Sequence, residues 1–412
     1  MTNEIKNVPE LRFPGFEGEW RLINLKNCFH TIKNGFVGTA TPFYTDNSGV
    51  RYLQSNNVKN GFLNDNVKIY VTKEFNEKYK SNQLKSGDML MVQSGHAGAT
   101  AVVSDAYEGS NCHALIIMKP KSNINTIFLN NYFQSGKGVK SIYSLITGNT
   151  IKHILSSDVK KITFSTPVIG EQEKIGNFFS KLDRQIELEE QKLAKLEEQK
   201  KGYMQQIFSQ QLRFKDENGN DYPEWKKKKL DDVANYRRGS FPQPYGNKEW
   251  YDEKNGEPFV QVVDVDKNMK LHDKTKQKIS DLAKPKSVKG FKGDIVVTLQ
   301  GSIGRVALLH YDAYIDRTLL LIDSFKIEMN KNYFKYVLYL LFLKEKERAP
   351  GGTIKTITKK VLSNFKIDIP NVGEQEKIGS FFKNLDEFIE KQANKVELLK
   401  QRKQSFLQKM FV

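Results

Sequence analysis

From Pro167 to Phe208 the chain reads PVIGEQEKIGNFFSKLDRQIELEEQKLAKLEEQKKGYMQQIF, and from Pro370 to Phe411 it reads PNVGEQEKIGSFFKNLDEFIEKQANKVELLKQRKQSFLQKMF. The two stretches align without a gap and share nearly half of their positions, the mark of an internal repeat. Each copy carries an apolar seam at alternating steps of four and three. In the first it is Ile175, Phe179, Leu182, Ile186, Leu193 and Leu196, continued by Tyr203 and Ile207. In the second it is Ile378, Phe382, Leu385, Ile389, Val396 and Leu399, continued by Phe406 and Met410. That spacing is the heptad signature of a coiled coil. Both seams are interrupted at the same two places, Glu189/Gln392 and Lys200/Lys403, and polar residues inside a seam tend to fix register. The reading that follows is that the two helices pair with each other.

Working outward, the duplication extends beyond the helices. Leu11-Arg12-Phe13, Trp20 and Leu25 return as Leu212-Arg213-Phe214, Trp225 and Leu230. Each half carries short β-type runs, among them Met89–Val92 and Ala114–Met118 in the first and Ile295–Leu299 and Leu319–Ile322 in the second. Helical pieces sit between them, Ile124–Phe133 and its counterpart Tyr333–Lys346. The expected layout is a globular segment over residues 1–166, a helix over 167–210, a second globular segment over 211–369 and a second helix over 370–412. Each globular segment reads as a mixed α/β (α+β) domain of about 150 residues.

Since both helices leave their domains at the same point of the repeat, parallel pairing would put both domains at one end. Antiparallel pairing puts them at opposite ends about an approximate two-fold axis. A helix of about 38 residues is roughly 57 Å long. Such a length suits a stiff spacer between two globular segments.

The composition of the 412 residues fits this layout. Lys and Arg number 65 against 48 Asp and Glu, a net charge of +17 that points to a polyanion partner, nucleic acid before others. The longest apolar run, Val337–Leu343, is far short of the ~20 residues that a membrane span needs, and the opening MTNEIKNVPE has no secretory pattern. The only cysteines, Cys28 and Cys112, have no metal-ligand spacing, so a reducing, cytoplasmic setting without membrane or metal is expected. No methyltransferase motif, P-loop, HExxH or HNH-like cluster is present, and the six histidines are scattered, so no catalytic residue is assigned. A coiled-coil adaptor between proteins is the other reading of the helices. It leaves unexplained why two basic domains diverge on one frame.

Two loops recur in both halves. Gly95-x-x-Gly98 and Gly301-x-x-Gly304 either let backbone amides approach phosphates or make a tight turn between strands. Thr150 with Lys152, and Thr353 with Lys355, combine a hydroxyl and a cation; they either contact phosphate or dock each helix on its domain. Lys226 and Lys227 open a four-lysine run that either follows the DNA backbone or forms a solvated turn entering a strand. Phosphate contacts position and base contacts specify, so base readers belong to the parts that differ. The candidates are Lys33, Asn34, Gln54, Asn56, Asn57, Gln93 and His96 in the first half. In the second they are Arg237, Arg238, Gln243, Gln261, Asp264 and Arg305. Arg and Lys match guanine, and Asn and Gln match adenine. Phe178 and Phe381, beside the seam, either receive a partner subunit or pack on their own domains.

Two unlike globular segments, each followed by GEQEKIG-x-FF-x-x-LD and preceded by the GxxG and GxTIK elements in fixed order, resemble the specificity subunit of a type I restriction–modification system. The resemblance runs from about residue 11 to the end. It implies a non-catalytic protein that recognises double-stranded DNA at a bipartite, asymmetric site, one half for each of two target recognition domains. It further implies that the paired helices bind two modification (adenine methyltransferase) subunits, that restriction (translocase) subunits join the larger complex, and that S-adenosylmethionine and ATP belong to those partners alone.

Overall fold

Met89–Val92 is apolar at every position, and a strand of that composition needs cover on both faces. In the computed structural model, which describes residues 7–59, 61–148, 152–348 and 359–412, it has that cover. The chain divides into two units, Met1–Leu193 with Gln392–Val412, and Ala194–Lys391. In the first, Met89–Val92 lies inside a four-stranded antiparallel sheet ordered Phe29–Asn34, Leu115–Pro120, Met89–Val92, Thr100–Val102. Side chains alternate across a strand, so Met89, Met91, Ile116 and Met118 join Phe128, Leu129, Ile175 and Phe179 in a core on the helical side. Leu90, Val92, Leu115 and Ile117 join Leu53, Val58 and Cys112 in a separate core on the other. Beyond that second core lies a smaller sheet ordered Asn111–Cys112, Val50–Leu53, Tyr70–Val71, Tyr44–Thr45, whose first pair is parallel.

The second unit repeats the plan. Its main sheet runs Ala234–Arg238, Leu319–Phe325, Ile295–Thr298, Val306–Leu308, and its smaller sheet Gln277–Ile279, Glu257–Val260, Ala313–Ile315, Val288–Gly290. Ile295, Val297, Leu320 and Ile322 face the core shared with helix Lys331–Arg348, whereas Val296, Leu319 and Leu321 face Val260 and Ile315.

The long helices are Ile169–Phe208 and Val372–Lys409. Of the seam residues, Ile175, Phe179, Ile186, Ile378, Phe382, Val396 and Leu399 are buried. Leu182, Leu193, Leu196, Leu385 and Ile389 are half-buried. Within the first unit Phe178 meets Phe406 (5.1 Å between ring centroids), Asp183 pairs with Lys403 (2.7 Å) and Glu189 with Lys395 (2.5 Å). Partner numbers fall as the first helix advances, so the segments run antiparallel. Within the second unit Lys200 pairs with Asp386 (2.5 Å) and Tyr203 meets Phe381 (5.2 Å), again antiparallel. The polar interruptions are used. Gln392 donates to the Glu189 carbonyl (2.9 Å) and carboxylate (2.7 Å), a contact between equivalent positions of the repeat.

The shared GEQ at each helix start is an anchor. Glu171 is fully buried and holds the Arg12 guanidinium through two bonds of 2.8 Å; Glu374 holds Arg213 at 3.1 and 2.7 Å and also accepts from the Trp225 indole at 2.9 Å. These bonds raise both arginines above their ordinary value, the hydrogen bonds to Glu171 and Glu374 being the leading cause. Gln172 and Gln375 are buried too. Each accepts from the backbone before a helix, at Asn125 and Asn330 (2.9 Å), and donates back to Pro167 or Pro370 (3.0 Å). The helix is thus pinned to its own domain through the residues that make the repeat visible.

Packing bears on two of the open readings. Phe178 lies against Phe13, Phe179 and Phe406, and Phe381 against Tyr203, Phe214 and Phe382, each inside its own unit. The four-lysine run is not a turn entering a strand. Lys226–Lys229 is itself a strand, paired antiparallel with Lys366–Ile369, because the backbone ladder and the apolar residues of the partner strand supply what its side chains lack. Among the described residues no helix is long and apolar enough to cross a membrane.

Candidate nucleic-acid interface

Asp88 and Asp294, the acidic members of the Gly-Asp turns, are nearly buried. Asp88 accepts from the Lys85 amide (2.9 Å) and the Lys119 ammonium (3.1 Å), and Asp294 from the Phe291 amide (2.8 Å). They hold the turns that aim the following strands at the GxxG loops. In the first unit Gly95 takes a positive φ of 84° and donates to Lys152 O (3.2 Å). Beside it Ser94 Oγ meets His153 Nδ1 (2.7 Å), and the Ile154 amide donates to Gln93 O (3.0 Å). Gln93, Gly95 and Lys152 are therefore brought together. Gly95, His96, Gly98 and Lys152 line one groove of about 970 Å³, with Asn56, Lys59 and Tyr143 also on its walls. His96 Nε2 lies 3.0 Å from Val58 O.

The two glycines of each loop differ. A Cβ on Gly98 would come within 2.2 Å of Ile142, and one on Gly304 within 2.9 Å of Phe342. The second glycine is where the loop presses on a helix of its own unit, Gly136–Tyr143 in the first and Lys331–Arg348 in the second. Gly95 has nothing within 4 Å of such a Cβ, and Gly301 only Val262 at 3.7 Å. The first glycine is therefore the open one. Thr150, Thr353 and Lys355 lie outside the described residues.

The remaining candidates are scattered. Lys33 and Asn34 end the strand Phe29–Asn34; burial, then the neighbouring Lys119, pushes the Lys33 ammonium below its usual range. Gln54 donates to Tyr44 Oη at 2.8 Å. Asn57 and Asp264 are buried turn-holders: Asn57 donates to the Asn64 and Val67 carbonyls, and Asp264 accepts from the Gln261 and Lys276 amides. Arg237 pairs with Asp323 at 3.3 Å, next to exposed Arg238, and Arg305 donates to Val265 O at 2.9 Å. Gln243 is exposed. Lys226 and Lys227 are exposed on their ribbon, with Lys227 3.9 Å from Asp368.

Gln261 belongs to a second concavity, of about 390 Å³, in the second unit. It is built where two parallel strands end, with the Asp316 amide bonded to Val260 O at 3.0 Å. Asp316 is buried and accepts from the Tyr245 hydroxyl and from the Thr318 amide (2.8 Å) and hydroxyl. Burial and then this carboxylate raise the Tyr245 phenol above its ordinary value. The Arg317 guanidinium lies over the Tyr245 ring, 4.7 Å from its centroid. At the same strand ends in the first unit, the His113 amide bonds Leu53 O (2.8 Å) and the His113 ring meets Tyr52 Oη (3.3 Å), beside Gln54. Sequence reasoning named Gln54 and Gln261 but passed over Tyr245 and Arg317. The available signal was the polar triplet Asp316-Arg317-Thr318 between two apolar runs.

With this geometry in view, the chain was compared with known proteins. The model of the type I restriction modification DNA specificity domain matches it twice, over residues 17–198 and 222–401. The chain belongs to the type I restriction–modification specificity-subunit family. A putative type I restriction enzyme specificity subunit of Methanocaldococcus jannaschii is 24% identical, over 98% of this chain and 93% of that one. The crystal structure of a type I restriction–modification S subunit from M. genitalium shares the fold, with a TM-score of 0.64 at 16% identity, covering 98% of this chain and 99% of that one. A structure described by the complex assembly and conformational transition of a type I restriction–modification system gives a TM-score of 0.56 at 18% identity, covering 96% and 97%. In this specificity subunit the two family matches fall on the two copies of the repeat, each taking in one main sheet, one small sheet and most of one long helix. Both of its thiols are buried, which pushes Cys28 up to about 11 and Cys112 up to about 12 and keeps them protonated and unreactive.

Proposed function

We propose that this chain is the non-catalytic DNA reader of its system, one half of a bipartite, asymmetric site being read by each recognition domain, residues 1–166 and 211–369. The paired helical segments, 167–210 and 370–412, act as a coiled-coil spacer that sets the unread gap and holds two modification subunits, with restriction subunits joining the larger complex. S-adenosylmethionine and ATP are then needed by those partners alone. The observation that carries this reading is one scaffold, anchored through the equivalent Arg–Glu pairs of Glu171 and Glu374, presenting different charged groups at equivalent strand ends. Arg237 and Arg238 pair with the main-sheet strand as Lys33 and Asn34 do, and Asp316 stands where the first domain has His113. The antiparallel helix contacts support the spacer, and likeness to a chain solved in the context of complex assembly supports the partners. Gly95, Gly301, Thr150, Lys152, Thr353, Lys355, Lys226 and Lys227 are assigned to the DNA backbone.

Mapping methylated sites in cells that express this chain with its modification partner tests the reading. Two unlike half-sites with a constant gap are expected, and removing a heptad-scale piece from both helices should change the gap and keep the half-sites. An unchanged gap removes the spacer role. DNA affinity that does not fall steeply with salt would leave a protein adaptor instead.

A further inference from the structure

The strand-end pocket of the second domain has properties that the other cationic sites lack. Arg237 already pairs with Asp323 and Arg305 with a backbone carbonyl. Arg317 has neither kind of partner among the described residues; its guanidinium lies over the face of Tyr245. A guanidinium held over an aromatic ring is attracted by the ring's negative face and keeps N–H donors free for a ligand. Tyr245 is itself held, its hydroxyl bonded to Asp316. Asp316 is 2% exposed and has both oxygens engaged, one by Tyr245 and one by Thr318, so it positions the ring. Gln261 and Lys276 stand on the same walls. The result is a planar fork of donors, held in place before any ligand arrives, in a concavity with two amides, Gln261 and Gln277, and one further cation, Lys276.

We propose that this pocket is the base-reading site of the second domain and that Arg317 takes the major-groove edge of a guanine. The inference rests on the DNA-reading function proposed above. Guanine offers O6 and N7 side by side, the spacing that an arginine fork meets with two parallel bonds. Preorganisation by Tyr245 lowers the ordering cost that a free arginine would carry. Lys276, an ammonium without planar geometry, suits the flanking phosphate. In the first domain Gln54 stands where Gln261 does, but His113 and Ala114 take the places of Asp316 and Arg317, so the same location offers a different set of groups there. That difference is what two unlike half-sites require.

The test maps methylated sites in cells carrying the full chain with its modification subunits, in wild-type form and as Arg317→Ala and Arg317→Gln. Arg317 is exposed, and among the described residues no ion pair or hydrogen bond holds it, so folding should be unaffected, and thermal unfolding of the purified chains checks this. The expected result is a loss of discrimination of roughly 5- to 150-fold at one G·C pair of one half-site, the range set by one bidentate arginine–guanine pair. The other half-site and the gap stay as they were. Arg317→Gln should move the preference at that pair toward adenine, whose N6 and N7 match an amide. An unchanged wild-type site in both variants overturns the pocket while leaving the DNA-reading function intact. A uniform loss across all sequences with a shallower salt slope marks Arg317 as a phosphate contact and also overturns it. If the wild-type chain itself gives no defined site, the proposed function fails and the pocket with it.

Discussion

Replacing Glu374 by Ala tests whether the shared GEQ is an anchor. The Glu374 carboxylate is fully buried and takes three hydrogen bonds, from Arg213 Nε (3.1 Å) and Nη2 (2.7 Å) and from Trp225 Nε1 (2.9 Å). Without it the indole N–H is left unbonded, and the guanidinium keeps one bond, to Pro223 O at 2.8 Å. Deleting one partner of a buried ion pair costs about 3–5 kcal/mol. The Arg213 side chain is 24% exposed, so water restores part of its solvation and the low end applies, about 3 kcal/mol. The matching change in the first half should cost less. Arg12 keeps bonds to Gly18 O (2.6 Å) and Glu17 O (3.2 Å), and the Trp20 indole gives no bond to Glu171. The difference is one hydrogen bond, about 1 kcal/mol. Urea unfolding of the full-length chain would measure both, with Glu374→Gln keeping the size of the side chain. The anchor argument is refuted if Glu374→Ala lies within about 0.5 kcal/mol of wild type, or if Glu171→Ala proves the more damaging.

Gly98→Ala meets Ile142 at 2.2 Å and a positive φ of 90°, so it should cost more than the roughly 1–2 kcal/mol of left-handed strain alone, whereas Gly95→Ala, with open space, should cost only that strain; thermal unfolding separates them. If Gly95 meets phosphate, Gly95→Ala should also weaken DNA binding beyond what its stability loss explains. Gln392→Glu sets a second carboxylate against Glu189 in the seam and removes the donor that now reaches it, so the full-length chain should lose about 1–2 kcal/mol, most of it regained in the double variant with Glu189→Gln. Burial holds His113 below its ordinary 6.5, so the unfolded chain takes up the proton first. Stability from this site is complete above about pH 6.5 and is lost as the pH falls through the lower folded value. His113→Gln should flatten the fall in melting temperature between about pH 7 and pH 5, and an unaltered slope would remove His113 as its source.

The helices were legible because their signal is local. A heptad is visible within one stretch, and its polar breaks at Glu189, Lys200, Gln392 and Lys403 stood in the aligned copies before any partner was known. Met89–Val92 and Ile295–Thr298 were legible for a related reason, since strands covered on both faces are apolar throughout. The small sheets were legible only in part. Tyr44–Thr45 and Tyr70–Val71 are two residues each and exist only through their pairing. Lys226–Lys229 has no apolar alternation to betray a strand; its partner is Lys366–Ile369, far along the chain. The anchors were half legible: acidic residues at a helix start are recognisable, but Arg12 reaches Glu171 across 159 residues. Of the candidate interface, sequence alone supplied residue types. That Arg305 is tied to Val265 and Arg317 is not, or that Gly98 touches Ile142 and Gly95 touches nothing, depends on packing that no local pattern encodes.

The main sheet of each unit also works as a watertight bulkhead. Met89 and Met91 look one way and Leu90 and Val92 the other, so the compartment that grips the helix and the one beneath the small sheet share a wall but no side chains. Alterations on either side should combine almost independently. Drift in the outer compartment can therefore reshape the surface above it while the hull that keeps the rods in place stays sound.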